Sequence, residues 1–220
     1  MQHFLPGSTV VPPAARNSNQ SLYSPADNSG DNCSMSVPKS IGAIELSSIG
    51  IGYRIEDEML KAATVDLLIA RTICSGKYLI VVGGSVSDVE ASIRTGLHTA
   101  GEAIIDHLVV PNVHESVFPA LGQSVVLDGQ LPGALGVVET FSGVSVLAAA
   151  DCAAKAARIT LLRIHVAMAL GGKGLCLMTG SVADVQAGVR AAAEEARRRG
   201  LLVSEVVIPR PSRELLAEYL

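Results

Sequence analysis

A single cysteine stands at the tip of a predicted hairpin loop. Cys74 lies in the short segment 72–77, between the apolar runs 65–71 and 78–82, and this pattern predicts two strands joined by a tight loop. Thiolates are metal ligands, but a single thiolate supplies too few donors to hold a metal alone. If symmetry repeats the loop around an axis, the same thiol occurs several times at one place and becomes a candidate metal site. An ordinary loop thiol is the alternative.

Other reactive side chains lack the spacing of a catalytic or metal site. Cys33, Cys152 and Cys176 form no CxxC pair, which argues against a zinc ribbon or a disulfide framework and favours a reducing, cytoplasmic setting. Glu45 and Glu139 occupy equivalent places in two similar segments, without a nucleophile or a second carboxylate beside them. We therefore expect structural roles for both, and a protein that is not an enzyme.

The composition narrows the class of protein. Of 220 residues, 49% are hydrophobic but only 3% are aromatic, so aliphatic side chains must fill the interior. No window of eighteen residues lacks a charged side chain, which argues against a membrane span and for surfaces buried between subunits. A net charge of -4 argues against nucleic-acid binding. The basic run 197–199 follows Glu194 and Glu195, a pattern typical of a solvated, self-paired helix face.

The chain repeats itself. Residues 41–45 match 135–139 at an offset of 94, and 61–63 match 155–157 at the same offset. The offset becomes 96 where Gly76 matches Gly172, so the second copy has two extra residues in the loop that corresponds to the cysteine loop. Loops absorb such insertions more readily than strands and helices do.

Each copy shows the same order of predicted elements. A strand, a helix, two strands around the loop, a second helix and a fourth strand give βαββαβ, an α+β ferredoxin-like unit. The first helix is predicted from residue 54, and Ser85 and Ser181 are the expected N-caps of the second helices. We expect a disordered tail at 1–38, domains at 39–121 and 134–220, and a linker at 122–133. Met35 could equally be the start of the translated chain.

Several of these motifs together resemble a known family. They are Gly-Val-Val-Glu-Thr at 136–140, Lys-Ala-Ala at the helix ends, Gly-Ser-Val-x-Asp-Val before the second helices, and the exit 207–211. The combination resembles the shell proteins of bacterial microcompartments, over nearly all of 40–220 and in unpermuted order. The duplication is similar to the tandem-domain, trimer-forming kind. The segment 61–77 is close to the iron-sulfur-bearing shell proteins of the propanediol-utilisation compartment.

The resemblance implies a flat, pseudo-hexameric homotrimer that tiles a compartment shell, with other shell proteins and lumenal redox enzymes as partners. Loops between the second and third strands would line a central opening, which implies pore-lining roles for Ser75, Gly76, Gly171 and Gly172. Three copies of Cys74 would hold one 4Fe-4S cluster per trimer, for electron transfer or cluster transfer across the shell. The second copy has methionine in its loop, so the fourth iron ligand is not a thiolate of these loops.

The resemblance also implies a tile edge. Lys61 and Lys155 occupy the same slot in the two copies, and Arg210 follows the last strand where the first copy has Asn112. These cations would contact neighbouring tiles, although a helix-end lysine that interacts only with the helix dipole has the same pattern. Two other functions stay open from the sequence: a shell tile with a metal-free gated pore for metabolites, and a ferredoxin-like regulatory module that binds a small ligand.

Overall fold

The first copy folds into a four-stranded antiparallel sheet covered by helices. The structure, a computed structural model, describes residues 38–127, 133–166 and 170–217, so residues 1–37 of the predicted tail and 128–132 of the predicted linker lie outside it. The strand order is β2-β3-β1-β4. The elements are β1 (Ser40–Leu46), α1 (Ile49–Ala62), β2 (Asp66–Ile73), β3 (Lys77–Gly84), α2 (Val86–Ala100), β4 (Ile104–Pro111) and α3 (Val117–Leu121).

The second copy repeats this architecture. Its sheet has the order β6-β7-β5-β8, and a 3-10 turn at Glu214–Leu216 stands in the place of α3. The elements are β5 (Ala134–Thr140), α4 (Ser145–Ala156), β6 (Thr160–Val166), β7 (Gly174–Gly180), α5 (Val182–Arg198) and β8 (Leu202–Pro209). The prediction of two tandem α+β units with the order βαββαβ is therefore confirmed.

The helix starts confirm one prediction and correct another. The hydroxyls of Ser85 and Ser181 accept hydrogen bonds from the backbone amides of Asp88 and Asp184, at 3.2 and 3.1 Å, as expected for N-caps. The predicted start of the first helix at residue 54 is wrong, because α1 begins at Ile49 after the N-cap Ser48. Glycines at 50 and 52 lower the local helix propensity and hide this first turn from pattern reasoning.

A glycine on the central strand of each copy lets a helix approach the sheet closely. A Cβ on Gly42 would lie 2.6 Å from Cγ1 of Ile93 on α2, and one on Gly136 would lie 2.7 Å from Cγ2 of Val189 on α5. Real Cβ atoms do not tolerate such distances, so any larger residue would force the helix away from the sheet. The glycine repeated in the two copies is thus explained by packing.

The two copies share the largest of three clusters of buried hydrophobic side chains. A single cluster of buried side chains contains Ile41 and Val117 from the first copy together with Val138, Leu147 and Leu161 from the second. Helix α3 of the first copy packs against α4 and β6 of the second. Burying a side chain of this size contributes roughly 1.5–3 kcal/mol, so the two sheets stabilise each other. Among the described residues, no helix is long and apolar enough to cross a membrane.

Candidate functional site

Cys74 lies where the sequence predicts it, in the hairpin loop between β2 and β3. Ile73 and Lys77 are the last paired residues, and the thiol-bearing residue opens the 3-10 turn Cys74–Gly76 between them. Ser75 and Gly76 have φ of 67° and 73°, the left-handed conformation in which glycine carries no penalty. A Cβ on Gly76 would meet no atom within 4 Å, so backbone conformation rather than crowding favours glycine there.

The corresponding loop of the second copy lies beside the first. Gly171 and Gly172 also have positive φ, 65° and 87°, and a Cβ on Gly172 would lie 3.5 Å from Nζ of Lys77. Arg71 at the end of β2 donates a hydrogen bond to the carbonyl of Val166 at the end of β6, at 3.4 Å. Burial lowers the pKa of Arg71. Residues 167–169, which include the methionine of this loop, lie outside the described residues. One chain therefore places its two loops side by side.

A buried glutamate joins the cysteine hairpin to the second copy. The carboxylate of Glu45 is fully buried and accepts a hydrogen bond from Nζ of Lys77 at 2.8 Å. Its other oxygen accepts the backbone amide of Gly143, just before α4, at 3.2 Å. In the second copy, Lys173 pairs with Glu139 at 3.4 Å, and both side chains are partly exposed. The structural role that the sequence suggested for Glu45 is to link the two copies: its carboxylate binds Lys77, next to the cysteine loop, and the amide of Gly143 in the second copy.

A second polar contact between the copies corrects a sequence prediction. Arg199, expected on a solvated face, pairs with Asp106 of the first copy at 2.6 Å and donates to the carbonyl of His107 at 3.1 Å. The hydroxyl of Ser142 donates to the same carboxylate. Arg198 keeps the predicted pairing with Glu195. A run of like charges at a helix end signals exposure, and only the tertiary fold shows that its last member turns inward.

A third carboxylate contact between the copies lies in the middle of α4. Asp151 accepts the amide of His114 from the first copy at 2.8 Å and pairs with Lys155 at 2.6 Å. Lys61 forms the equivalent pair with Asp57 at 2.6 Å, fully on the surface. Arg210 is exposed and has φ of 49°, the same as Asn112, so these two positions are structurally equivalent. The tile-edge role of Lys61, Lys155 and Arg210 stays a prediction.

The thiols of the chain differ in what they can bind. In the described ranges, no group of three His, Cys, Asp or Glu side chains could hold a metal ion within one chain. Burial raises the pKa of the Cys176 thiol to about 12 and also raises the pKa of Cys152, which disfavours the thiolate form that metals need. Cys74 is half-buried at a loop tip. A metal site built on Cys74 therefore needs donors beyond the part of one chain that the structure describes.

Comparisons with known proteins agree with this architecture. The BMC domain family matches residues 40–113 and 134–211. Bacterial microcompartment shell protein PduT of Citrobacter freundii is 45% identical over 175 residues, which are 80% of this chain and 94% of that protein. Carboxysome assembly protein CcmO of Synechocystis sp. is 32% identical over 168 residues, 70% of this chain and 55% of that protein. A crystal structure of a microcompartment protein from Desulfitobacterium hafniense superposes with a TM-score of 0.75 and 42% identity, covering 81% of this chain and 98% of that one.

Proposed function

The chain belongs to the BMC-domain family of bacterial microcompartment shell proteins, and we propose that it is a homotrimeric tile of such a shell with a 4Fe-4S cluster at its centre. Its relatives are structural shell proteins, so its part in the compartment is structural rather than enzymatic. The proposed trimer would lie among other shell proteins and face redox enzymes of the lumen.

The observation that supports a homo-oligomer is that equivalent residues of the two copies are buried to different extents. Tyr53 on α1 is 61% exposed, whereas its counterpart Leu147 on α4 is 1% exposed. Leu215 near the end of the chain is 50% exposed, whereas its counterpart Val117 on α3 is 0% exposed. The buried members lie in the interface between the two copies, and we call an interface of this kind a joint. The exposed members are the apolar halves of a second joint of the same kind, which needs another chain.

The exposed residues define two different surfaces. We call the first the head face, formed by Ile51, Tyr53 and Leu67 of α1 and β2, and the second the tail face, formed by Val206 and Leu215. The head face corresponds to the buried surface of the second copy, and the tail face to that of the first. Two unlike, complementary surfaces give head-to-tail contacts, which form a closed ring when the rotation from chain to chain adds up to a full turn. The resemblance to tandem shell proteins sets the number of chains at three.

Substituting the tail face tests the ring. Leu215→Asp places a charge in the apolar joint and should leave a folded monomer, measured as mass by light scattering after gel filtration. Phe141→Asp is the matched control, because Phe141 is also an exposed large apolar side chain, 58% against 50% for Leu215. It follows β5 and precedes Ser142, whose hydroxyl donates to Asp106 in the joint that is already closed within the chain. This variant should stay trimeric. A wild-type protein that is monomeric at micromolar concentration contradicts the ring.

The donor set of the loop fits an iron-sulfur cluster in such a ring. Among its described residues each chain offers one half-buried loop thiol, Cys74, so three chains offer three thiolates, which suit three of the four irons of a 4Fe-4S cluster. The left-handed Ser75 and Gly76 turn the chain within three residues, and Gly76 leaves open space beside the thiol-bearing residue. When bound, the cluster supplies a one-electron redox centre. This chain contributes the thiolates. It also contributes the ion pair between Lys77 and the buried Glu45, which anchors the end of the cysteine loop.

Anaerobic purification tests the cluster. The wild-type trimer should show broad visible absorption and an electron paramagnetic resonance signal after reduction or oxidation, with about four irons per trimer. Cys74→Ser should lose the iron and the signal while the trimer persists. Cys152→Ser, a half-buried thiol on α4, should keep both. An iron-free wild-type trimer would leave the metal-free pore as the function of this opening.

A further inference from the structure

Three carboxylates hold the two copies of one chain together. The residues at equivalent positions of the repeat show which of these contacts can also form between chains. Within the chain, Glu45 binds the amide of Gly143, Asp151 binds the amide of His114, and Asp106 pairs with Arg199. The proposed ring contains a second set of joints, in which the second copy of one chain meets the first copy of the next. Each contact has a definite counterpart there.

The first contact should recur. Glu139 has the same register on its strand as Glu45, opposite the fourth strand and the third. The counterpart of Gly143, at the offset of 94, is Ile49, the first residue of α1. An amide at the first helical position has no acceptor within its own helix, and the positive end of the helix favours an anion. The partly exposed Glu139 is thus the natural acceptor for the amide of Ile49 in the next chain.

The second contact should recur as well. Asp57 corresponds to Asp151, and each pairs with the lysine four residues later at 2.6 Å. The side chain of Asp151 is 6% exposed because the His114 segment covers it, whereas that of Asp57 is 61% exposed. The counterpart of His114 is Ser212, after the last strand, since Pro111 and Pro209 end their strands in the same register. One oxygen of Asp57 is therefore left for the amide of Ser212 from another chain.

The third contact cannot recur. Ser204 faces Glu139 where Asp106 faces Glu45, so the carboxylate is missing from the tail face. The arginine is missing from the head face as well, because α5 has 17 residues and α2 has 15. Arg199 follows the longer helix, whereas α2 ends at Ala100 with Gly101 as its C-cap and has no arginine or lysine in its last turn. Neither half of the ion pair is available between chains.

We infer that the joint between chains is held by two carboxylate-to-amide contacts, Glu139 to Ile49 and Asp57 to Ser212 of the neighbouring chain, and lacks the ion pair that locks the joint within the chain. This inference rests on the proposed ring. It identifies the partner surface as a second copy of this chain and makes the joints between chains the weaker ones. On dilution, the ring opens into folded single chains at these joints.

The alternative is that Asp57 and Glu139 only pair with their own lysines. Exposed pairs of that kind contribute little to stability, so removing either carboxylate would then leave assembly unchanged. The two interpretations differ in which equilibrium each residue affects. Dissociation and unfolding of the full-length protein can be measured separately, so the comparison is direct.

Sedimentation over a dilution series tests the inference with variants at equivalent positions. Asp57→Ala and Glu139→Ala should each raise the dissociation constant of the trimer roughly tenfold or more, with an unchanged urea midpoint of the dissociated chain. Asp151→Ala and Asp106→Ala should lower the urea midpoint, because their contacts lie within the chain. Asp106→Ala should leave trimer dissociation within about twofold of wild type.

The outcomes separate this inference from the proposed function. If the wild-type protein never forms a trimer, the proposed ring is wrong and the inference falls with it. If the trimer forms but Asp57→Ala and Glu139→Ala dissociate as wild type does, the ring stands and the inferred contacts are wrong. If Asp106→Ala weakens the trimer as much as Asp57→Ala does, the two joints are not distinct, and the inference is likewise overturned.

Discussion

Gly52 on α1 lies directly against the ring of Tyr78 on β3: a Cβ on this glycine would be 2.5 Å from the ring carbons. The second copy reverses the two sizes. There the helix carries Val146 and the strand carries Gly174, whose added Cβ would lie 2.6 Å from Cβ of the valine. Each copy thus fills the same gap between helix and sheet with one large and one small side chain, because interiors tolerate volume changes poorly unless neighbours compensate.

Enlarging Gly52 should therefore destabilise the first copy. Gly52→Ala presses a methyl group on a ring that is buried and bonded through its hydroxyl to Glu56 at 2.7 Å, and we expect a loss of about 1–2 kcal/mol in the free energy of unfolding. Gly50→Ala, in the same helix with no atom within 4 Å of the new Cβ, should be neutral or more stable by up to about 1 kcal/mol. Urea titrations compare them. Equal gains for both variants would contradict the packing argument.

The sequence predicted those parts of the fold that are local or repeated. The order of strands and helices along the chain, the N-caps Ser85 and Ser181 and the loop position of Cys74 follow from apolar periodicity, capping residues and the offset between copies. The start of α1 did not, because Gly50 and Gly52 hide a helix that tertiary packing stabilises. From the sequence alone, a glycine that makes room for a neighbouring aromatic side chain cannot be distinguished from a glycine that breaks a helix.

The contacts between copies were beyond sequence reasoning for another reason. Asp106 and Arg199 are 93 positions apart, and Arg199 stands in a helix end whose charges already suggest a local partner. Glu45 could be recognised as a repeated position, but not as a buried acceptor of an amide 98 positions away. The repeat shows which residues are equivalent, and only the structure shows which equivalents are buried.

The cap of α4 should contribute more to stability than the cap of α1. The hydroxyl of Ser142 accepts the amides of Val144 and Ser145, both at 3.0 Å, and donates to Asp106. Ser48 accepts one amide, at 3.4 Å. We expect Ser48→Ala to cost about 1 kcal/mol and Ser142→Ala at least twice that, because the second also removes a donor from a carboxylate. Urea unfolding of the two variants checks the ratio, and equal losses would show that neither the second amide nor the Asp106 contact adds stability.

The tile-edge prediction can be tested apart from trimer formation. Lys155→Ala should leave trimers intact, measured by light scattering, but reduce the extended sheets seen by electron microscopy, since it removes a surface cation predicted to contact a neighbouring tile. Arg210→Ala should act in the same direction, whereas Asn112→Ala at the equivalent position should have less effect. Sheets of unaltered size and frequency from Lys155→Ala protein would contradict the edge role and leave only the intrahelical pair with Asp151.

Alkaline pH should expose the burial of Cys176. This thiol lies on β7 and is fully buried, and burial raises its pKa from 9.0 to about 12. Below pH 9 the thiol is protonated in both the folded and the unfolded chain, so it gives no pH dependence. Between pH 9 and 12 only the unfolded chain loses the proton, so the folded state loses stability as the pH rises, by about 1.4 kcal/mol per pH unit at most.

The comparison is between wild type and Cys176→Ala in a reducing buffer. Other groups also titrate in this range, but they are common to both proteins, so the difference between the two curves isolates the thiol. From pH 8 to pH 10, the free energy of unfolding of wild type should fall by about 1.4 kcal/mol more than that of the variant. The variant has a constant offset from the lost side-chain volume, which cancels in the difference. Parallel curves would mean that solvent reaches the Cys176 thiol, and that the sheet opens at β7 far more readily than its packing indicates.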